Sequence, residues 1–209
     1  MEIDRPGPGE ELNRGEETVP RPAATVILLR GGDQTLEVLL VRRNPDARFM
    51  GGAWVFPGGA VDRHEGDGQP ALRAAGVREL EEEAGIRIDD TATLVPFSRW
   101  ITPAEVKIRF DTWFYLAPAP PDATPTPDGS EIVDSCWLSP GDALAAYRSG
   151  ELFMVFPTIK HLEQLAGFAS ADELLDHARD RDVRPVQPRV VMAGETARIL
   201  LPGEPGYED

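Results

Sequence analysis

Residues 78–86, Arg-Glu-Leu-Glu-Glu-Glu-Ala-Gly-Ile, place four glutamates within five consecutive positions. Like charges at i and i+4 oppose helix formation by a few tenths of a kcal/mol each, so the run needs a reason. A solvated acidic face is one reason and a divalent cation is the other. The flanks predict a helix from about Pro70 to Ala84, with proline in the first turn and Gly85 at the terminating position. On that helix Glu79, Glu82 and Glu83 stand at i, i+3 and i+4, so their carboxylates share a face while Glu81 points elsewhere. Val77, Leu80 and Ala84 form a separate apolar stripe. Clustered hard oxygen ligands suit Mg2+ or Mn2+, which would also neutralise the repulsion. Just upstream, the Gly58-Gly59 pair of "FPGGAVD" reads as a turn where backbone approaches a ligand closely and carbonyls point inward.

Working outward, "AATVILLRGGDQTLEVLLVRR" reads as two strands around Gly31-Gly32-Asp33, and residues 51–68 read as turn and loop. "TLVPFSRWIT" and "VKIRFDTWFYLA" follow as strands, the second alternating through Val106, Ile108 and Phe110. A proline-rich loop, 118–129, leads to the strand "EIVDSCWL", and Ser139-Pro140 opens a helix. Two helical patterns fill 157–180, the second beginning at the capping-box signature Ser170-Ala-Asp-Glu173. The chain closes on a hairpin, "RVVMAGETARILLPG". Interleaved hairpins and helices predict an α/β/α sandwich around a mixed sheet, not a doubly wound parallel one. Residues 1–20, rich in Gly, Pro and Glu, are expected to be a disordered tail; 21–209 would form one domain with a helical elaboration at about 150–185.

The chain has 209 residues, a net charge of −15 and one cysteine, Cys136. That balance argues against nucleic acid or an anionic membrane as partner. The lone cysteine excludes an internal disulfide or a cysteine-rich zinc site and reads as a small buried hydrophobe. Without a signal-like start or a membrane-length apolar run, the expectation is a cytoplasmic protein. The four tryptophans read as core, and His64, His161 and His177, which show no ligand spacing, as exposed.

The glycine pair and acidic helix together resemble the box of the MutT-like Nudix hydrolases. Its second half is matched by Arg78, Glu79, Leu80, Glu82, Glu83, Gly85 and Ile86. In the first half Gly59 precedes Glu65 by the family's spacing, but twelve residues rather than seven separate Glu65 from Arg78. A five-residue expansion before the helix is the reading. A second pattern, Leu39-Leu40-Val41-x-Arg43-Asn44, Arg48, Gly52 and Phe56-Pro57-Gly58-Gly59-x-x-Asp62, is similar to the coenzyme A diphosphatase branch, with Val41 and Asn44 in place of Thr and Ser. The C-terminal "LAGFASADELLDHARDR" and "ILLPGEPGY" are similar to acyl-CoA diphosphatases of that branch.

The resemblance implies a Nudix-type fold and metal-dependent attack of water on a nucleoside diphosphate linked to another moiety. It implies Glu79, Glu82, Glu83 and the carbonyl of Gly58 as ligands for Mg2+ or Mn2+, with Arg78 orienting a glutamate. Glu131, six residues before Trp137, would add a ligand or general base, with Glu105 in reserve; a solvent-exposed glutamate is the alternative for Glu131. Arg43, Arg48 and Gly59 would meet substrate, the arginines suiting the 3′-phosphate of coenzyme A. The implied substrate is coenzyme A or an acyl-CoA, giving 3′,5′-ADP and (acyl-)4′-phosphopantetheine. ADP-ribose or a nucleotide sugar is the alternative client, and a non-catalytic nucleotide sensor the alternative class. A small nucleotide is the expected partner, and a homodimer is compatible with the sequence.

Overall fold

The computed structural model describes residues 2–3, 13, 17–32, 35–193 and 196–207. The first strands are β1 (Glu2–Ile3), β2 (Arg21–Arg30), β3 (Glu37–Arg43), β4 (Trp54–Val55) and β5 (Gly58–Ala60). Helix α1 (Gly68–Ala84) precedes β6 (Val95–Ile101), β7 (Phe110–Pro118) and β8 (Ile132–Leu138). Helices α2 (Pro140–Arg148), α3 (Phe156–Leu165) and α4 (Ala171–Arg179) come next, then β9 (Pro185–Val186), β10 (Arg189–Ala193) and β11 (Thr196–Leu200).

The unbroken apolar runs in β2, β3 and β7 follow from a sheet covered on both faces. Ile27, Leu29, Val38, Leu40, Phe114 and Leu116 face a core shared with α2, α3 and α4. Their neighbours Val26, Leu28, Leu39, Val41, Tyr115 and Ala117 face the core under α1. The expected α/β/α sandwich is what forms. Its sheet runs β4-β3-β2-β7-β6-β9, with β5 on β2 and β8 on β3. It is mixed: β2 and β7 are parallel, while β2–β3, β3–β8 and β6–β7 are antiparallel. A parallel pair needs a long crossover, and the segment from β2 to β7 contains α1. The C-terminal hairpin, β10 with β11, forms a second sheet with β1.

Several boundaries move. Helix α1 begins at Gly68, two residues before Pro70. Strand β7 begins at Phe110, because residues 103–109 form the loop closing β6 onto β7 through the Thr102 N–H to the Phe110 carbonyl. Gly58-Gly59 lies in β5 rather than in a turn, and Gly58 faces Thr25 of β2. Much of the expected tail, 1–20, lies outside the described residues. Within it, β1 pairs with β11, the Thr18 hydroxyl donates to the Lys107 carbonyl, and Glu17 pairs with Arg109.

The expectation of exposed histidines fails at His161, which is fully buried. Its Nδ1 lies 2.7 Å from the Pro157 carbonyl oxygen and its Nε2 2.5 Å from Ser98 Oγ. A carbonyl only accepts, so Nδ1 carries the proton and Nε2 accepts from the serine. Phe114 stacks on the ring with centroids 4.0 Å apart. Trp54 and Trp100 are buried as expected, and burial pushes the Cys136 thiol up to about 11, in keeping with an inert hydrophobe.

Candidate active site

Helix α1 ends as its sequence dictates: Gly85 adopts φ 65° and its N–H reaches the Glu81 carbonyl. Leu80 and Ala84 pack into the core beneath it, which turns Glu79 and Glu83 toward β5. The two glycines of β5 are there for space. A Cβ on Gly58 would lie 2.5 Å from the Ala24 carbonyl oxygen, and one on Gly59 would lie 2.3 Å from Glu79 Oε1. The Gly58 N–H donates to Glu83 Oε2 at 2.9 Å. Sheet backbone and acidic helix are therefore in direct contact.

Arg78 organises the acids. Its Nε is 3.1 Å from Glu65 Oε1, its Nη1 is 2.8 Å from Glu79 Oε1 and 2.9 Å from Glu82 Oε2, and its Nη2 donates to the Ala60 carbonyl at 3.0 Å. Glu65 reaches it across the expanded loop because a 3-10 turn, Arg63–Glu65, brings that carboxylate back; its side chain is only 6 % exposed. The Asp62 N–H also donates to Glu65 at 2.6 Å. The twelve intervening residues lengthen the path without breaking the pair.

A cleft opens beside this contact, lined by Arg21, Thr25, Arg43, Gly58, Gly59, Glu79, Glu83 and Glu131 among others. Glu83 is 4 % exposed. Burial lifts its carboxyl to about 8, the Glu79 and Glu131 charges adding to the shift while the Gly58 N–H and Arg43 oppose it. Burial also raises Glu79, against the Arg78 contact. Arg43 Nη1 stands 3.9 Å from Glu83 Oε1, and its Nε donates to the Phe49 carbonyl. The Asp128 carboxylate accepts from the N–H groups of Ser130, Glu131 and Ile132, and so fixes the loop that presents Glu131.

The candidates thus divide. Glu79, Glu83, Glu131, Arg43, Gly58 and Gly59 meet at one cleft. Glu82 does not line it; its side chain is 59 % exposed and bonded to Arg78. Arg48 is exposed and does not line the cleft. Glu105 is elsewhere, accepting from the Val190 and Asn13 N–H groups and lying 4.0 Å from Arg189. Among the described residues no three acidic, histidine or cysteine side chains already converge as a metal cage, because Arg78 draws Glu79 and Glu82 toward itself. Sequence reasoning missed Arg21, which joins the cleft through β2–β7 pairing, and Asp128, whose Asp-Gly-Ser context is an Asx-turn signal.

Comparison with known proteins agrees with this geometry. A NUDIX domain family model matches residues 19–155. The chain is 27% identical to putative nudix hydrolase 7 of Caenorhabditis elegans, over 90% of this chain and 75% of that protein. It is 29% identical to the human acyl-coenzyme A diphosphatase NUDT19 over 56% of this chain, and spans only 33% of that relative's length. A crystal structure of a NUDIX hydrolase from Alicyclobacillus acidocaldarius superposes with a TM-score of 0.66 at 27% identity, covering 76% of this chain and 96% of the other. The NUDIX domain of Shewanella oneidensis NrtR, solved with ADP ribose, shares the fold at a TM-score of 0.54 and 20% identity, over 70% of this chain and 86% of the other. With Gly59, Glu79 and Glu83 of the box at one cleft and the family's domain matched over residues 19–155, the chain belongs to the Nudix hydrolases.

Proposed function

We propose that this chain hydrolyses the diphosphate of coenzyme A or an acyl-CoA, releasing 3′,5′-ADP and (acyl-)4′-phosphopantetheine. The observation that carries the reading is the meeting of Glu79, Glu83 and Glu131 with Arg21 and Arg43 in one cleft. Carboxylates for a cation and guanidinium forks for phosphate then lie side by side, as a bound diphosphate requires. The likeness to acyl-CoA diphosphatases supports coenzyme A as the client.

The residues fit a divalent cation. Glu83 is a buried carboxylate whose proton affinity burial has already raised, and hard oxygens of Glu79 and Glu82 lie within one helical turn. Glu79, Glu82, Glu83 and the Gly58 carbonyl would hold Mg2+ or Mn2+, which supplies charge neutralisation and a more acidic water. Glu131 takes up the proton of the attacking water. As the water oxygen bonds to one phosphorus, the bridging P–O bond breaks and its electron pair leaves with the other phosphate. Arg43 holds the diphosphate and Arg21 the 3′-phosphate, while Gly59 leaves the floor open to substrate. Arg78 is a positioning residue. Arg48 has no part in this assignment, since it stands outside the cleft.

The test is a panel of coenzyme A, 3′-dephospho-coenzyme A, an acyl-CoA and ADP-ribose with Mg2+ or Mn2+, with products resolved by mass. A charge-assisted contact is worth about 1.5–3 kcal/mol, so coenzyme A should exceed its dephospho form by roughly tenfold or more in kcat/KM. Arg21→Ala should shrink that ratio. Faster cleavage of ADP-ribose would move the assignment to nucleotide sugars, and no turnover of any member would leave a binding domain.

A further inference from the structure

The sheet face that floors the acidic cleft continues into an apolar pocket. Ala23 of β2, in the cleft, is paired with Thr112 of β7, and Thr112 is paired with Trp100 of β6. Neighbouring strands lie about 5 Å apart, so each pairing is one short step across the face. Thr112 and Phe49 line both spaces. Beyond them the pocket is walled by Trp100, Phe114, Phe156, Val190 and Ile199 among others, and among the described residues no charged side chain lines it. Ile108, 46% exposed, lies at its outer side.

We infer that this pocket receives the hydrocarbon of an acyl chain carried by the leaving half of the substrate, so that the enzyme selects acyl-CoA over free coenzyme A. The inference rests on the diphosphatase reading above. Two features set the chemistry of the occupant. Shared walls make it part of the molecule whose diphosphate lies in the cleft. The apolar lining excludes a sugar or base, whose polar groups would be left without partners, and suits methylenes, which gain from leaving water.

The experiment compares free, butanoyl- and decanoyl-coenzyme A with Mg2+ or Mn2+ in the wild-type protein, Ile108→Asp and Ile199→Ala. Each buried methylene is worth roughly a threefold to fourfold gain, so decanoyl-coenzyme A should exceed free coenzyme A by tenfold or more in kcat/KM, chiefly through KM. Both variants should pull that ratio toward one. Ile108→Asp changes an exposed position, so it remains informative if Ile199→Ala weakens the fold. Binding is read separately, without divalent ion, by tryptophan emission as decanoyl-coenzyme A or coenzyme A is titrated in. Turnover of coenzyme A with no gain for decanoyl, or a gain that both variants leave intact, overturns the pocket and spares the diphosphatase reading. Tight, variant-sensitive binding of decanoyl-coenzyme A without cleavage of any coenzyme A substrate does the reverse.

Discussion

A Cβ on Gly59 would meet the end of the Glu79 side chain, whereas one on Gly58 would meet the backbone of Ala24 and Thr25 at 2.5 and 2.6 Å. A side-chain end moves cheaply and a strand does not. Gly59→Ala should therefore fold with little loss but displace the Glu79 carboxylate, lowering kcat by tenfold or more. Gly58→Ala should overpack the β2–β5 contact and lower stability by about 1–3 kcal/mol, read by urea unfolding. Equal stability losses in both would mean that Gly59 serves packing rather than the acids. Glu83→Gln asks a different question, because the amide keeps an acceptor for the Gly58 N–H but loses the charge. Divalent-dependent turnover should fall by at least a hundredfold, as expected when a metal ligand or its close support is lost. Stability at neutral pH without divalent ion should hold or rise, since burial raises the Glu83 carboxyl to about 8 and the amide removes the cost of taking up that proton in the fold. Near wild-type activity would make the acidic face a matter of solvation.

Helix α1 was legible because its signals are local: spaced glutamates, an apolar stripe, Pro70 and a terminal Gly85. Glu131 was named by the family resemblance, and it lines the cleft. The Glu65–Arg78 pair was not legible, since sequence distance says nothing about a 3-10 turn that folds thirteen positions back into contact. Strand β5 was hidden for a different reason. Pro57-Gly58-Gly59 carries turn chemistry, yet its glycines are needed for close approach to β2 and Glu79. Arg43 was named by the upstream pattern, whereas Arg21 reaches the cleft only through sheet pairing, which no local pattern records. The Glu65–Arg78 connection has a measurable consequence. Arg78→Lys replaces a five-donor fork with one ammonium, which cannot hold Glu65, Glu79, Glu82 and the Ala60 carbonyl together. Its kcat should fall roughly tenfold or more with KM little changed, and Glu65→Gln should show a weaker form of the same pattern. A loss confined to KM would place Arg78 on the substrate instead.

At the scale of the molecule, Glu17 and Thr18 are tied to the interior. Arg109 is 3 % exposed and donates to Glu17, to the Thr18 carbonyl and to the Thr102 carbonyl. Deleting residues 1–18 removes two of those acceptors from a buried guanidinium, so stability should fall by about 1–3 kcal/mol, or several degrees in Tm. An unchanged Tm would show that water replaces them without cost. The second whole-molecule effect joins the two layers. His161 of α3 bonds to Ser98 of β6 inside an aromatic cage, and burial pushes its pKa down to about 4 from an ordinary 6.5. The nearby Arg181 charge works in the same direction, and the Pro157 carbonyl opposes it. Between these values the unfolded chain binds a proton that the folded protein refuses, so acidification favours unfolding. The contribution is intact above about pH 7 and is lost progressively as pH falls from 6.5 to 4, amounting to roughly 3 kcal/mol below both values. His161→Gln keeps hydrogen-bonding groups but does not titrate. It should be less stable than wild type at pH 7.5, and the difference should narrow steadily on acidification. Because the other titrating groups are common to both proteins, the difference isolates this ring. A gap that stays constant from pH 7.5 to 4.5 would mean that the ring titrates in the fold as it does in the unfolded chain, and a gap that widens on acidification would mean that the fold holds it as a cation rather than as the neutral tautomer assigned above.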